Sequence, residues 1–368
     1  MTVPRRPTRL GPYDVVVKIA GGGMATIYLG RARDPKGQER VAALKVIRHE
    51  LGHDEAMQAM FHDEAKILAR LSHPNIAAHW EHGIDDEQHF IAMELLVGRT
   101  LRDVWDACKA RKVSLRLEHA AWIAARIADA LDHAHDLKDA EGAPLNVVHR
   151  DVNPTNIFLT FEGEVKLFDF GLAKATGRRA KSSAGIVKGK LPYLSPEAIE
   201  QQPLDGRSDI YTLGTTLWEM TTMRRLFKRD DDVETLMATR AGLVPDPRAR
   251  LPEYPEALWK IIRRALARSP DERYQTAGEL AQALDAFVEE QEATGDDMVS
   301  LTSEILDALF PGEREKRAMW LRHTSASRPQ RTTLPPPVPV AGVSDSIPPP
   351  PPPPPSKRPS SKHRLRKA

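Results

Sequence analysis

Cysteine is almost absent from the sequence: Cys108 is the only one in 368 residues. A lone cysteine cannot form an intrachain disulfide, and this favours a reducing compartment. The sequence also lacks any run of about 18 apolar residues that could span a bilayer. The arginines near the N-terminus are not followed by the apolar segment of a secretory signal. We therefore expect a cytoplasmic protein without a transmembrane segment.

An excess of one charge is also missing from most of the chain, because the formal net charge is only +2. The exception is the C-terminal tail, residues 323–368, which holds eight Lys or Arg residues and a single acid, Asp345. Since the basic charge is confined to this tail, the body of the chain gives no reason to expect a nucleic-acid partner.

The tail is also rich in proline, with eight consecutive prolines at positions 348–355. Such a run forms an extended polyproline II rod and cannot build a packed core. We expect residues 324–368 to be disordered. The proline run is interpreted as a spacer, with docking of a partner that binds Pro-rich motifs as the alternative.

Apolar periodicity divides the rest of the chain into two unlike halves. Residues 13–20, 26–33 and 41–48 are rich in Val, Ile and Tyr and are separated by Gly or Asp-Pro, which is typical of strands. One helical pattern follows near residues 55–71, and after Gly98 the periodicity is mainly helical. The pattern predicts two lobes with a cleft between them. Further apolar residues at helical spacing predict a helical extension at residues 294–323.

Two features of the strand-rich half suggest phosphate binding. A glycine-rich turn, Gly21-Gly22-Gly23, joins the first two strands, and glycines let backbone N–H groups approach phosphates closely. Such runs are also often plain hairpin turns. Lys45 lies in an unusually apolar strand, and Glu64 follows nineteen residues later on a predicted helix, where it could pair with Lys45 and aim its ammonium at phosphates.

Three polar residues of the helical half complete the pattern. Asp151 follows His149-Arg150, and Asn156 and Asp169 come after it. One carboxylate would orient an attacking hydroxyl and accept its proton. The Asn and the second carboxylate are hard oxygen ligands suited to Mg²⁺.

These segments together resemble the signature set of the protein kinases. The residues that carry the resemblance are Val41-Ala42-Ala43-Leu44-Lys45, His149 to Asn156, Asp169-Phe170-Gly171 and Ser195-Pro196-Glu197, in the family's order and spacing. The chain is most similar to the bacterial eukaryotic-type serine/threonine kinases over about residues 13–288. The resemblance implies an α+β, two-lobed protein-kinase fold: a small antiparallel β-sheet lobe with one helix (about 13–96) and a larger, mainly α-helical lobe (about 97–290).

The resemblance further implies ATP and Mg²⁺ as cofactors, protein substrates and a set of site residues. Asp151 would be the catalytic base, Lys45 would hold the α- and β-phosphates with Glu64 positioning it, and Asn156 and Asp169 would bind the metal. The nucleotide would be covered and its base enclosed by Ile19, Ala20, Gly21, Gly22, Gly23, Met24, Ala25, Thr26, Ile27, Ala43, Met93, Glu94, Leu96 and Phe158. Glu197 would pair with Arg273, and Asp209 would anchor the catalytic loop.

The chain departs from the family pattern in two places. Ala20 and Ala25 stand where the family has glycines, and alanine would cost about 1–2 kcal/mol there if the backbone required a positive φ. Asn153 stands where a lysine usually faces the γ-phosphate, and Lys190 stands where threonine is usual in the neighbouring segment. We hypothesise that Lys190 supplies the missing ammonium; the alternative is a solvated lysine of the activation segment.

The resemblance also implies a regulatory site. Arg150 and Lys174 occupy positions whose cations receive a phosphate on the activation segment. Ser182 or Ser183 is the predicted autophosphorylation site.

Three other functions remain open at this stage. A pseudokinase scaffold would use the fold and the Pro-rich tail for binding, but it would need none of the residues Lys45, Glu64, Asp151, Asn156 and Asp169. A small-molecule phosphotransferase would not need the docking segment at residues 195–197. Two features disfavour a tyrosine-directed kinase. Tyr193 lies in a segment that resembles the substrate-docking loop of Ser/Thr kinases, and the residues after Asp151 do not follow the tyrosine-kinase pattern.

Overall fold

The computed structural model describes residues 8–22, 25–33, 37–48, 54–170 and 190–326. The N-terminal part is a six-stranded antiparallel sheet in the order β1-β2-β3-β4-β6-β5 with one helix, α1, against it. Its elements are β1 (Arg9–Leu10), β2 (Tyr13–Gly21), β3 (Ala25–Arg33), β4 (Glu39–Ile47), α1 (Glu55–Leu68), β5 (His79–Asp85) and β6 (Gln88–Glu94).

The alternation of side chains along β4 separates the core of this sheet from the cleft. Ala42, Leu44 and Val46 point to one face, where they are buried against residues such as Tyr13 and Phe90. Successive strand residues point to opposite faces. Ala43 and Lys45 therefore share the other face of the strand.

Helix α1 directs a charged residue inward on its apolar face. Phe61, Ala65 and Leu68 are buried, and Glu64 is buried with them. Residues at i, i+3, i+4 and i+7 lie on one side of a helix. Glu64 thus faces the interior, where it needs a partner of opposite charge.

The larger part of the fold is helical and is built around α3, whose apolar residues are buried on nearly every side. Helices α5 and α8 pack against α3, and a small sheet in the order β7-β8-β9 lies next to them. The elements are β7 (Gly98–Thr100), α2 (Leu101–Arg111), α3 (Leu117–His135), β8 (Ile157–Thr160), β9 (Val165–Leu167), α4 (Pro196–Ile199), α5 (Gly206–Thr222), α6 (Asp232–Ala241), α7 (Glu256–Ala265), α8 (Ala277–Glu290), α9 (Gly295–Leu309) and α10 (Glu313–Ala326). The two-lobed α+β fold is therefore confirmed.

Helix α9 is part of the core of the large lobe. Met298, Leu306 and Leu309 are buried in the same apolar cluster as α3. The Thr302 hydroxyl donates to the Met298 carbonyl at 2.7 Å, so its oxygen accepts from Nε2 of the fully buried His119 at 2.8 Å. Helix α9 therefore packs on the large lobe. The bounds predicted for the helical extension, residues 294–323, stay a prediction.

Helix α10 extends the contacts of this segment to the small lobe. Glu313 pairs with Arg99 of β7 at 3.0 Å. Arg31, on β3 of the small lobe, donates to the Leu321 carbonyl at 2.5 Å. The extension α9–α10 therefore touches both lobes. In the part of the chain that the structure describes, no helix combines the length and apolar composition needed to cross a membrane.

If α9 belongs to the core, then Leu306→Ala should destabilise the whole kinase fold. Leu306 is fully buried, and Leu→Ala substitutions at such positions cost about 2–5 kcal/mol. Leu243→Ala is the matched control, because Leu243 is 79% exposed. Denaturant unfolding should show one transition with a lower midpoint for the first variant and a near-unchanged midpoint for the second. An unchanged Leu306→Ala protein would contradict this role of α9.

The His119–Thr302 contact should make stability sensitive to acid. Burial, with a smaller contribution from Arg116, lowers the pKa of His119 to about 4. The unfolded chain, with a pKa near 6.5, takes up the proton first. The free energy of unfolding therefore has its full value above pH about 6.5. It falls by roughly 3 kcal/mol as the pH drops to about 4.

His119→Gln keeps a nitrogen donor but cannot titrate in this range. The difference in unfolding free energy between the wild type and this variant should shrink as the pH falls from 7 to 4. A difference that does not vary with pH would show that the buried imidazole makes no contribution.

Candidate active site

Three charged side chains from both lobes meet where the sheet faces the helical lobe. The Lys45 ammonium lies 2.7 Å from Glu64 Oε1 and 2.8 Å from Asp169 Oδ1. Lys45 comes from β4, Glu64 from the inner face of α1, and Asp169 follows β9. The pairing of Lys45 with Glu64 that the sequence suggested is present, and Asp169 joins it.

The three groups shift one another's ionisation. Burial alone would lower the pKa of Lys45, but the carboxylates of Asp169 and Glu64 raise it above its ordinary value. Lys45 holds the pKa of Asp169 below its usual range. Burial raises the pKa of Glu64 despite the opposing effect of Lys45. Two carboxylates thus share a single ammonium, and the group is short of positive charge.

A buried carboxylate holds the backbone of the loop that carries Asp151. Asp209, on α5, accepts the backbone N–H of His149 at 2.7 Å and that of Arg150 at 2.8 Å. His135 Nε2 lies 2.9 Å from the same carboxylate. Burial alone would raise the pKa of Asp209, but His135 and His149 lower it below its ordinary value. The sequence predicted the anchor but not His135, which lies in α3 far from any motif.

The backbone is strained next to Asp151 and at Asp169. Arg150 has φ 62° and Asp169 has φ 61°, a left-handed conformation that costs non-glycine residues roughly 1–3 kcal/mol. His149 is completely buried, and its ring lies 4.5 Å from that of Phe170, the residue after Asp169. The two segments that carry Asp151 and Asp169 therefore pack on each other.

Asp151 itself is buried and surrounded by donors. Asn156 Nδ2 donates to Asp151 Oδ2 at 3.0 Å and to its carbonyl at 2.8 Å. Asn153 Nδ2 donates to the same carbonyl at 2.8 Å and to Oδ1 at 3.3 Å. The Lys190 ammonium contacts Asp151 Oδ2 as an ion pair. The structure thus joins Asp151, Asn156 and Lys190, which the sequence grouped.

Asn153 has a structural role that was not predicted from the sequence. Its Oδ1 accepts the backbone N–H of Thr155 at 2.9 Å and the Thr155 hydroxyl. This is the hydrogen-bonding pattern of an Asx turn, which an Asn-Pro pair such as Asn153-Pro154 favours. The dipeptide was therefore a signal that Asn153 shapes the loop.

The residues assigned to the nucleotide base lie on strands of both sheets. Ala43 of β4 is directly opposite Met93 of β6, and Glu94 ends β6. Ile27 and Phe158 are half-buried on β3 and β8. The backbone N–H of Leu96 donates to no other residue among those that the structure describes.

The two alanines of the first turn are not strained. Ala20 and Thr26 to Ile27 belong to paired strands, and neither Ala20 nor Ala25 has a positive φ. The cost considered for alanine at these positions therefore does not arise. Ile19 and Ala20 are half-buried and Gly21 and Gly22 exposed, whereas Gly23 and Met24 lie outside the described residues.

A second buried charge pair lies beneath the segment after Lys190. Arg273, whose side chain is fully buried, makes two hydrogen bonds to Glu197, at 2.7 and 2.8 Å. It also donates to the carbonyls of Ala267, Arg207 and Arg268. The predicted Glu197–Arg273 pair is present.

Other predicted features fall on residues that the structure does not cover. Lys174, Ser182 and Ser183 lie outside the described residues, so the regulatory site stays a prediction. Among the residues that are described, no three acidic, histidine or cysteine side chains are grouped closely enough to form a metal site by themselves.

Comparison with known proteins agrees with this geometry. A protein kinase domain matches residues 13–284. The chain belongs to the protein kinase family. Tyrosine-protein kinase MasK of Myxococcus xanthus is 38% identical over 280 residues, which cover 76% of this chain and 43% of MasK. Serine/threonine-protein kinase PrkC of Bacillus subtilis is 32% identical over 270 residues, which cover 73% of this chain and 39% of PrkC.

The kinase-domain fold is also shared with a solved bacterial structure. The kinase domain of PknI from Mycobacterium tuberculosis superimposes with a TM-score of 0.57 at 26% identity, covering 77% of this chain and 99% of that chain. This chain spans about two fifths of the length of MasK and PrkC. The shared part is the kinase domain of a bacterial eukaryotic-type kinase.

The Arg273–Glu197 pair yields a stability prediction. Arg273→Met leaves Glu197 buried without its partner, which costs about 3–5 kcal/mol. The control is Arg268→Met, because Arg268 forms a comparable pair with Glu200 at 3.1 Å but is 60% exposed, where such pairs contribute about 0–1 kcal/mol. Thermal unfolding should separate the two variants. Equal losses in both would contradict the difference in burial as the cause.

Proposed function

We propose that this kinase domain transfers the γ-phosphoryl group of ATP, with Mg²⁺, to serine or threonine hydroxyls of proteins. The observation that carries the proposal is the Lys45 ammonium shared between Glu64 and Asp169, beside the separately anchored Asp151. A scaffold would gain nothing from burying these charges, which are costly to desolvate.

The residues present fit a nucleotide and its metal. Lys45 would hold phosphate oxygens, while Ala43, Ile27 and Phe158 would enclose the base. The unbonded N–H of Leu96 supports a hydrogen bond to the base. The turn residues Gly21 and Gly22 are exposed, and the Gly22 N–H donates to the Ala25 carbonyl at 2.9 Å, so a phosphate would have to replace that bond to reach this group.

Mg²⁺ fits the oxygen donors of this site. Proteins usually bind it through one or two carboxylates and substrate phosphates instead of a complete cage of side chains. Asn156 uses its Nδ2 on Asp151, which leaves Oδ1 as an oxygen ligand. Asp169, with a lowered pKa, would supply the carboxylate. The metal would neutralise charge that develops on the phosphates.

Asp151 would act as the base toward the substrate hydroxyl. Its donors hold the carboxylate in one orientation, and Asp209 fixes the backbone beneath it. Positioning of this kind, together with electrostatic stabilisation, accounts for most of the acceleration in phosphoryl transfer.

A tyrosine-directed kinase is the second candidate, and the 38% identity to MasK, named as a tyrosine-protein kinase, favours it. The relation to PrkC, named as a serine/threonine-protein kinase, favours the first candidate. Autophosphorylation at Ser182 or Ser183 and docking of a partner on the Pro-rich tail stay predictions.

Incubation with labelled ATP and Mg²⁺ tests the proposal. The wild type should incorporate label into itself or a general protein substrate, and Asp169→Ala should lose at least about 10²-fold in rate, as expected for loss of a transition-state charge. Phosphoamino-acid analysis should return phosphoserine or phosphothreonine. Phosphotyrosine alone would select the second candidate.

The control for this assay is Asp63→Asn, which removes an exposed carboxylate on α1 that pairs only loosely with Lys66 at 3.7 Å. It should leave incorporation unchanged. Equal incorporation by the wild type and Asp169→Ala, or none by either with any substrate, would contradict the proposed activity.

A further inference from the structure

We propose that Lys190 is the cation that faces the phosphoryl group during transfer, an inference that rests on the proposed kinase activity. Its ammonium is in contact with Oδ2 of Asp151, the oxygen to which Asn156 also donates. Lys190 is therefore adjacent to the proposed base.

The step itself shows why a cation is needed at this point. The substrate oxygen forms a bond to the γ-phosphorus as the bond from that phosphorus to the bridging oxygen of ATP breaks. The electron pair of the broken bond leaves with ADP, and the hydroxyl proton passes to Asp151. A base must lie within hydrogen-bonding reach of the hydroxyl that attacks phosphorus. A cation on that same carboxylate is consequently within a few Å of the phosphoryl oxygens.

Asn153 cannot provide this charge. Its side chain is neutral and buried, and both ends are engaged: Nδ2 with Asp151 and Oδ1 with Thr155. These bonds hold the loop in shape. The charge and the loop-shaping function are thus divided between two residues, Lys190 and Asn153, that meet at Asp151.

Hydrogen bonds hold the backbone next to Lys190. The Lys190 carbonyl accepts the N–H of Tyr193 at 3.0 Å in the short 3₁₀ turn Leu191–Tyr193. Tyr193 is buried, and its hydroxyl donates to the Glu219 carboxylate at 2.7 Å. The same carboxylate pairs with Arg225. These contacts fix the backbone position from which the Lys190 side chain reaches Asp151.

The remaining exposure of the side chain agrees with a role toward substrate. The Lys190 side chain is 40% exposed, whereas its partner Asp151 is 8% exposed. The ammonium can therefore turn from the carboxylate to an incoming phosphate without being pulled from the protein interior.

The experiment compares Lys190→Thr, which removes the charge, with Lys190→Arg, which keeps it. Lys190→Thr should lower kcat about 10²–10³-fold, by analogy with loss of a donor to a developing oxyanion. The affinity for ADP, measured by fluorescence titration, and the thermal midpoint should stay near those of the wild type. Lys190→Arg should recover at least about tenfold of the kcat lost in Lys190→Thr, because it again places a cation beside Asp151.

Lys228→Thr is the matched control, since Lys228 is also 40% exposed and also pairs with an aspartate, Asp232 at 3.7 Å. It should not change kcat. An unchanged kcat in Lys190→Thr, a loss explained by weaker ADP binding or a lower midpoint, or a loss in Lys190→Arg as large as that in Lys190→Thr would overturn the inference. An inactive wild type would instead refute the proposed activity on which it rests.

Discussion

The arrangement of the cleft depends on the Lys45 ammonium. It is bound both by Glu64 of the small lobe and by Asp169 of the large lobe. The two carboxylates exceed the single positive charge, and burial makes that imbalance more costly than it would be in water. The proposed Mg²⁺ would supply the missing positive charge. Binding of the metal and the nucleotide would then be coupled to the relative position of the lobes.

A rigid support under the catalytic loop complements this charge-sharing group. Asp209 is fully buried and binds two consecutive backbone N–H groups, which stabilises the left-handed conformation of Arg150. On the other side, the Phe170 ring packs on His149. Strain that is held in place by buried contacts is typical of functional sites. Buried contacts of the core therefore help to position Asp151 and Asp169.

The two lobes and most of the charge pairs could be predicted from the sequence, because each depends on a local pattern or on motifs at a characteristic spacing. Glu64 could be found from its helical spacing with Phe61 and Leu68, and Lys45 from its apolar strand. His135 could not be found, since its contact with Asp209 joins two helices that packing alone brings together. Asn153 was interpreted only as a missing lysine, although the following proline indicated the turn that it stabilises. The contacts of α10 with Arg31 and Arg99 likewise depend on the tertiary fold.

The charged side chains of the cleft are proposed to converge on the phosphates of a bound nucleotide. The most direct measurement is a crystal structure of the wild type with Mg²⁺ and a non-hydrolysable ATP analogue. It should show Lys45 on the α- and β-phosphates, the metal on Asn156 and Asp169, and the Lys190 ammonium hydrogen-bonded to a γ-phosphoryl oxygen. A nucleotide bound elsewhere, or a γ-phosphoryl group with no contact to Lys190 while that lysine stays on Asp151, would contradict the account.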